Sequence, residues 1–328
     1  MAQAANNKKP FRLSHGPTQI SAIAPQQAEK LRTNGVYYMD DQLVTIGTFV
    51  ASNWGYIEFP IGRYTYRQWG FSLLATAAIA GVTTLRDGKH VVDTAKIPDY
   101  IDTFVIEING AAKWEMTAAE FVKWNGYQNL DTSNGVLRWA FGAPNLHNTD
   151  AAEDAYQLGT ANLRSLKLRV KTKSTWVNGM MPLINVEYAA VARNIGYFTT
   201  TTRAVFTNPS AGDYYNSDIA VGIDFATIWV QGASINRAKL TVDREQIFDC
   251  QNYQLRAMHE AWGKDVAALG DGIIFDSWRD GDAIGVDSVS DSVAERKRGA
   301  DVRLDLNMAA AGVQMTCIVI HCGLFAQQ

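Results

Sequence analysis

Cysteine is scarce. Cys250, Cys317 and Cys322 are three in 328 residues, and an odd count at irregular spacing excludes a disulfide framework and a cysteine-based zinc site. Cys317 and Cys322 have opposite parity in a strand-like run, so they face opposite sides of a sheet, and a reducing compartment during folding is expected. Proline is sparse as well, at 8 residues against 26 glycines. Long apolar runs are missing: the least polar stretch, GFSLLATAAIAGV at 70–82, has 13 residues, too few to cross a bilayer. The opening MAQAANNKKPFRL has no apolar signal region, so secretion is not expected. Excess charge is missing too. Lys and Arg total 30 against 33 Asp and Glu, a formal charge of −3, which gives no whole-chain field to gather nucleic acid or anionic lipid.

What is present is ordinary in hydrophobic content (47%) and large enough, at 36.1 kDa, for one large or two medium domains. Residues 1–35 read as a polar arm, with Lys8, Lys9, Arg12, Lys30 and Arg32 against Glu29. From Tyr56 onward the pattern is short strands between turn residues. YIEFPIGRYTYRQWGFSLLA at 56–75 is aromatic-rich and suited to strands. IDTFVIEIN at 101–109 puts Phe104, Ile106 and Ile108 on one face. In LRSLKLRVKTK at 163–173, Leu166, Leu168 and Val170 face one way and Lys167, Arg169, Lys171 and Lys173 the other, the period of a half-buried strand. Further strands are expected at 182–192, 198–206, 225–231, 302–308 and 313–321. Long helices do not alternate with the strands, so the expected class is all-β rather than α/β.

The chain also repeats itself. AKWEMTAAEFVKWNGYQ at 112–128 resembles AKLTVDREQIFDCQNYQ at 238–254, an offset of 126. Thr117-Ala118-Ala119-Glu120 has the form of a capping box, in which the Thr hydroxyl accepts from the N3 amide and Glu reaches back to the cap. Asp243-Arg244-Glu245-Gln246 has the same form at the same offset, so Thr117 and Asp243 are both expected to cap short helices. GVLRWAF at 135–141 matches GIIFDSW at 272–278, LRSLKLRV at 163–170 matches DVRLDLNM at 301–308, and PLINVEYAA at 182–190 matches QMTCIVIHC at 314–322. Preserved order at drifting offsets indicates a duplicated domain with altered loops. The expected architecture is two tandem eight-stranded jelly rolls, over 36–194 and 195–328, each with a short capped helix. Long loops are expected at 80–99, 142–159 and 207–218.

On IDTFVIEINGAAKWEMTAAEFVKWN, GTANLRSLKLRV and their second-half echoes, residues 55–328 resemble the double jelly-roll major capsid proteins of membrane-containing icosahedral viruses, corticovirus-like phage coat proteins above all. The resemblance implies a homotrimer of six jelly rolls, a pseudo-hexagonal tile that packs against neighbouring capsomers around a lipid vesicle. It implies a virion location, synthesis in the host cytoplasm, minor capsid or membrane proteins as further partners, and a place for residues 1–35 beneath the tile, at neighbours or at the internal membrane. It implies no direct contact with nucleic acid, no catalysis and no cofactor. A carbohydrate-binding or glycoside-active β-sandwich protein is the second reading, and a minor capsid or spike protein of the same fold the third.

Catalytic signatures are missing from the sequence: there is no P-loop, H-E-x-x-H or G-x-S-x-G, and no catalytic, cofactor-binding or metal residue is assigned. His321-Cys322 is a potential ligand pair, but neighbours on a strand point to opposite faces. DGDAIGVDSVSD at 280–291 resembles a calcium loop through Asp280, Asp282, Gly285 and Asp287, yet Ile284 and Asp291 stand where an oxygen ligand and Glu are needed; a solvated loop is expected. Glu58, Glu107 and Glu115 are candidates for paired carboxylates in a sugar groove, against a simpler place on outward strand positions. The ladder Lys167, Arg169, Lys171, Lys173 is a candidate phosphate contact, against a solvated or subunit-facing surface. Trp114 and Trp124 are expected in the core.

Overall fold

The computed structural model describes residues 13–14, 37–141, 157–216, 225–242, 245–277, 285–286 and 302–324. Strands dominate. The first half contributes β1 (Leu13–Ser14), β2 (Tyr37–Asp40), β3 (Thr45–Ile46), β4 (Trp54–Glu58), β5 (Thr65–Ala75), β6 (Thr83–Arg86), β7 (Lys89–Val92), β8 (Ile101–Ile108), β9 (Ala111–Thr117), β10 (Leu137–Ala140), β11 (Leu158–Gly159), β12 (Leu166–Thr172) and β13 (Met181–Ala189). The second contributes β14 (Tyr197–Thr207), β15 (Gly212–Asn216), β16 (Phe225–Gln231), β17 (Ile235–Val242), β18 (Glu245–Gln251), β19 (Gly272–Asp276), β20 (Gly285–Val286), β21 (Val302–Met308) and β22 (Gln314–Leu324). The α-helices among the described residues are α1 (Ile97–Tyr100), α2 (Ala118–Tyr127) and α3 (Asn252–Ala261).

The strands pair twice in the same order. In the first half β2-β13-β5-β10 makes one antiparallel sheet and β4-β12-β8-β9 the other. In the second half β14-β22-β16-β19 and β15-β21-β17-β18 repeat both. Each sandwich thus has eight core strands, and β3, β6, β7 and β11 are additions to the first. β1 and β20 pair with each other at the edge of the second. Within the first sandwich Trp69, Phe71, Ile184 and Val186 of one sheet meet Phe104, Ile106, Leu166 and Leu168 of the other. Trp139 sits among stacked and edge-on rings of Phe121 (4.2 Å), Phe104 (5.3 Å) and Trp114 (5.8 Å). The inward faces of β12 and β21 are those expected from alternation: both strands bury every second residue.

α2 starts where the sequence placed it. The Thr117 hydroxyl accepts from the Glu120 amide at 3.2 Å, and Glu120 Oε2 accepts from the Thr117 amide at 2.8 Å. The second cap is different. Glu245 and Gln246, expected in the first turn of a helix, belong to β18, and Asp243 itself lies outside the described residues. The helix begins eight residues later, at Asn252, where Gln254 Oε1 accepts from the Gln251 amide at 3.2 Å. Its cap residue is therefore 134 positions after Thr117 (251 against 117), not 126. The physical reason is that Lys239–Val242 ends the first strand of a hairpin, whereas Lys113–Met116 lies in the second strand of the matching one. In the first hairpin Asn109 and Gly110 both have positive φ (55° and 84°), a two-residue turn that suits the twist of paired strands.

The segment 56–75 forms strands as expected, two of them in different sheets. Other expectations shift. The supposed loops at 80–99 and 207–218 contain the β6–β7 hairpin with α1, and β15; residues 142–156 lie outside the described residues. Trp114 is core, but Trp124 is only partly buried. Cys317 is buried and its thiol is pushed up to about 12 by that burial; Cys250 is half-buried, and the side chain of Cys322 is outside the described set.

Removing the Thr117 cap should lower stability by about 1 kcal/mol. Thr117→Ala is expected to show this in urea unfolding, while Asp243→Ala shifts the midpoint by less than about 0.5 kcal/mol in equivalent terms.

Candidate functional site

The most elaborate constellation in the molecule is the seam between the two sandwiches, and α2 builds it. Thr117 turns the chain from β9 into the helix so that one stripe of α2 faces away from its own core. Glu120 leads that stripe: besides closing the cap, its Oε1 accepts from Arg203 Nη2 at 3.1 Å and from Gln231 Nε2 at 3.2 Å, on β14 and β16. Trp124 lies 6.3 Å, centroid to centroid, from Trp229 of β16. The Tyr127 hydroxyl donates to Asp276 Oδ2 at 2.8 Å, and Thr227 donates to Asp276 Oδ1 at 3.2 Å. Lys264 Nζ donates to Gln128 Oε1 at 2.8 Å and lies 5.7 Å from the centre of the Tyr127 ring. Asn129 donates to the Gly263 carbonyl at 2.6 Å. Beside the helix, Thr201 of β14 both accepts from the amide and donates to the carbonyl of Glu115.

Burial sets the electrostatics. Asp276 and Tyr127 are essentially inaccessible and Lys264 nearly so. Removal from water pushes the Lys264 ammonium below its ordinary pKa, and the Asp276 carboxylate acts in the opposite direction. The groups surround a cavity of about 100 Å³ lined by Trp114, Trp124, Trp139, Phe198, Lys264 and Asp276. Close approach depends on Gly126: a Cβ there would lie 2.7 Å from the Ala268 Cβ. The arrangement holds two sandwiches in one orientation. Glu120, Asp276, Tyr127 and Lys264 are each engaged by a partner across the seam, and among the described residues no nucleophile–base pair is directed from it at open space.

The candidates raised from sequence lie elsewhere, on the outer face of the β4-β12-β8-β9 sheet. The basic ladder is paired across strands: Lys167 with Glu58 at 2.7 Å, Arg169 with Glu107 at 3.2 Å and Lys171 with Asp102 at 3.2 Å. Arg169 also covers Trp54 at 4.5 Å. Lys173 lies exposed just past the strand end. These cations answer carboxylates of their own sheet, which removes the free positive stripe that a phosphate contact needs. Glu58 and Glu107 are held by cations rather than converging on a groove, and Glu115 stands exposed on the edge strand β9. The second sandwich has a matching face, with Arg237–Asp249 and Arg303–Asp305 at 2.6 Å each and Asn307 donating to Asp213 at 2.8 Å around a shallow hollow. Partly exposed pairs of this kind contribute about 0–1 kcal/mol each.

Among the described residues no group of three or more His, Cys, Asp and Glu side chains is placed to hold a metal. His321 is buried with Nε2 2.8 Å from the Thr202 hydroxyl. The calcium-like stretch 280–291 lies outside the described residues apart from β20. No helix is long and apolar enough to cross a membrane among the described residues. Sequence reading missed the seam, because Asp276, Lys264 and Tyr127 carry no local motif; the signal was the unbroken apolar run of β16.

No protein-family model matches the chain, and no curated protein matches it. Solved structures do. The major capsid protein P2 of bacteriophage PM2 is 17% identical, with 88% of this chain and 98% of that one superposed at a TM-score of 0.70. The major capsid protein of Sulfolobus turreted icosahedral virus is 14% identical, covering 89% and 98%, at 0.59. The capsid of the virus PBCV-1 follows at 10%, covering 88% and 97%, at 0.52. The chain has the double jelly-roll fold of these capsid proteins.

Two substitutions test the seam. Asp276→Ala leaves the Tyr127 and Thr227 hydroxyls without this acceptor and takes the opposing charge from beside the buried Lys264 ammonium, and should cost about 3 kcal/mol in chemical denaturation. Gly126→Ala should cost about 1–3 kcal/mol by overpacking, and adding Ala268→Gly should recover most of it.

Proposed function

We propose that the chain is a major capsid subunit of an icosahedral virus. Three copies form a pseudo-hexagonal tile of six jelly rolls, and tiles pack edge to edge around an internal lipid membrane. The observation that carries this reading is the doubled eight-strand order, superposable over nearly nine-tenths of the chain on capsid proteins from unrelated-looking sequences. Residues 36–194 and 195–328 serve as the two rolls, and residues 1–35 as an arm beneath the tile, where its lysines and arginines suit an anionic membrane surface or a neighbouring capsomer. The subunit is made in the host cytoplasm, acts in the virion, touches no nucleic acid directly and performs no catalysis.

The physics of a shell supports the assignment. A tile must be stiff, and two sandwiches held together by a buried helix are stiff. A tile is also crowded by copies of itself, so a formal charge of −3 keeps mutual repulsion small. The charged ladders on both outer faces are internally neutralised, which lets like faces stand close.

Native mass with negative-stain imaging tests the reading. A species of about 108 kDa, three times 36.1 kDa, seen as hexagonal plates, is the expected outcome. A monomer at all concentrations that binds glycans would replace it with a sugar-binding sandwich.

A further inference from the structure

The duplication places α2 and α3 in the same position of their sandwiches, and an offset of 134 aligns them residue by residue. Their inner faces agree: Phe121 matches Leu255 and Asn125 matches His259, all four buried. Asn125 accepts from the Arg138 amide at the start of its sandwich's β10, and His259 Nε2 lies 2.9 Å from the Ile274 carbonyl of the matching β19. Their outer faces do not agree in environment. The stripe Glu120, Trp124, Tyr127 and Gln128 is the one seated on the second sandwich. Its counterparts are Gln254, Met258, Ala261 and Trp262, and all four are exposed, Met258 at 45% and Trp262 at 55%. An indole and a thioether on a helical i, i+4 spacing form an apolar stripe that no described residue covers.

The surface that would receive it is also present and is partly exposed among the described residues. α2 seats on the outer face of β14-β22-β16-β19. The matching face of the first sandwich is the outer side of β2-β13-β5-β10. Along β13, Pro182, Ile184 and Val186 point inward, so Met181, Leu183, Asn185 and Glu187 point outward. Met39 of β2 pairs with Glu187 and shares that face. Met39 and Met181 are exposed at 69% and 52%, and methionine adapts readily to a partner's contour.

We propose that α3 of one copy seats, through Met258 and Trp262, on the outer β2-β13-β5-β10 face of a second copy, around Met39 and Met181. This contact repeats between chains what α2 makes within one. It deepens the tile reading and rests on it. The two patches are different surfaces, so the contact is heterologous, and such contacts close into a ring when the rotation allows. Alternation of the internal seam with this external one runs through six rolls and returns to the start after three chains.

The test uses two full-length double variants at exposed positions. Met258→Glu with Trp262→Glu disables the helix patch; Met39→Glu with Met181→Glu disables the sheet patch. Each alone is expected to be monomeric, with wild-type far-UV circular dichroism. Mixed one to one, each supplies the patch the other lacks, so the expected product is a heterodimer of about 72 kDa, twice 36.1 kDa, and nothing larger. Tyr253→Glu should keep the trimer, because its counterpart Ala119 stays exposed beside the internal seam. If a double variant loses its fold, Trp262→Ala replaces it, with at least a tenfold weaker trimer expected. A trimer that survives either double variant, or a mixture that stays monomeric, overturns the interface while leaving the tile reading in place. A wild-type chain that is monomeric at every concentration overturns both.

Discussion

Everything in this molecule depends on one sheet being buried twice. The β14-β22-β16-β19 sheet covers its own sandwich with Ile228, Val230, Cys317 and Val319, and covers the first sandwich with Trp229, Ile274, Ile318 and Ile320. Six consecutive residues of β16 are therefore buried. A strand with water on one face alternates; a strand with protein on both faces reads as a continuous apolar run. Phe225-Ala226-Thr227-Ile228-Trp229-Val230 is such a run. The core of the first half consequently does not stop at its own strands but continues into residues of the second.

That distinction explains what the sequence disclosed. Strands with one wet face were legible: β12 and β21 alternate, and their buried residues follow parity. The duplication was legible through strand order, because all three drifting matches fall on equivalent strands. The cap at Thr117 was legible because its hydroxyl and Glu120 both act locally. The second cap was not. Gln251 is a poor cap by type, while Asp243 is a good one, and the apolar alternation on both sides of a hairpin hides which arm is being read. The seam was illegible for a different reason. Tyr127, Asp276 and Lys264 are brought together from separate elements across a gap of more than a hundred residues, and no spacing rule encodes that.

The charges show the same logic at the surface. A row of Lys and Arg on every second position of β12 looks like a free cationic stripe when that strand is read alone. In the sheet its neighbours β4 and β8 present Glu58, Glu107 and Asp102 to the same row. Cross-strand partners meet on one face at short range, so the sign of a sheet surface belongs to three strands together. The second sandwich repeats this with Arg237, Arg303 and their aspartates. Both faces end close to neutral although each strand is strongly charged.

In the proposed ring, the difference between the two helices is a difference in the timing of burial. The internal seam is covered as soon as the chain folds, so it can hold buried polar groups that find their partners only in one orientation: Glu120 with Arg203 and Gln231, Asp276 with Tyr127 and Thr227. Misaligned, these groups would be desolvated without partners, which costs more than the aligned bonds gain. They therefore fix the angle between the sandwiches. A surface that must stand in water before it meets its partner is under the opposite constraint. On α3 the stripe is short and weakly apolar, and the matching sheet face mixes Met39 and Met181 with Asn185 and Glu187. The proposed ring of copies closes only if its internal angle is set beforehand, and the buried carboxylates of the first seam are the groups that hold that angle.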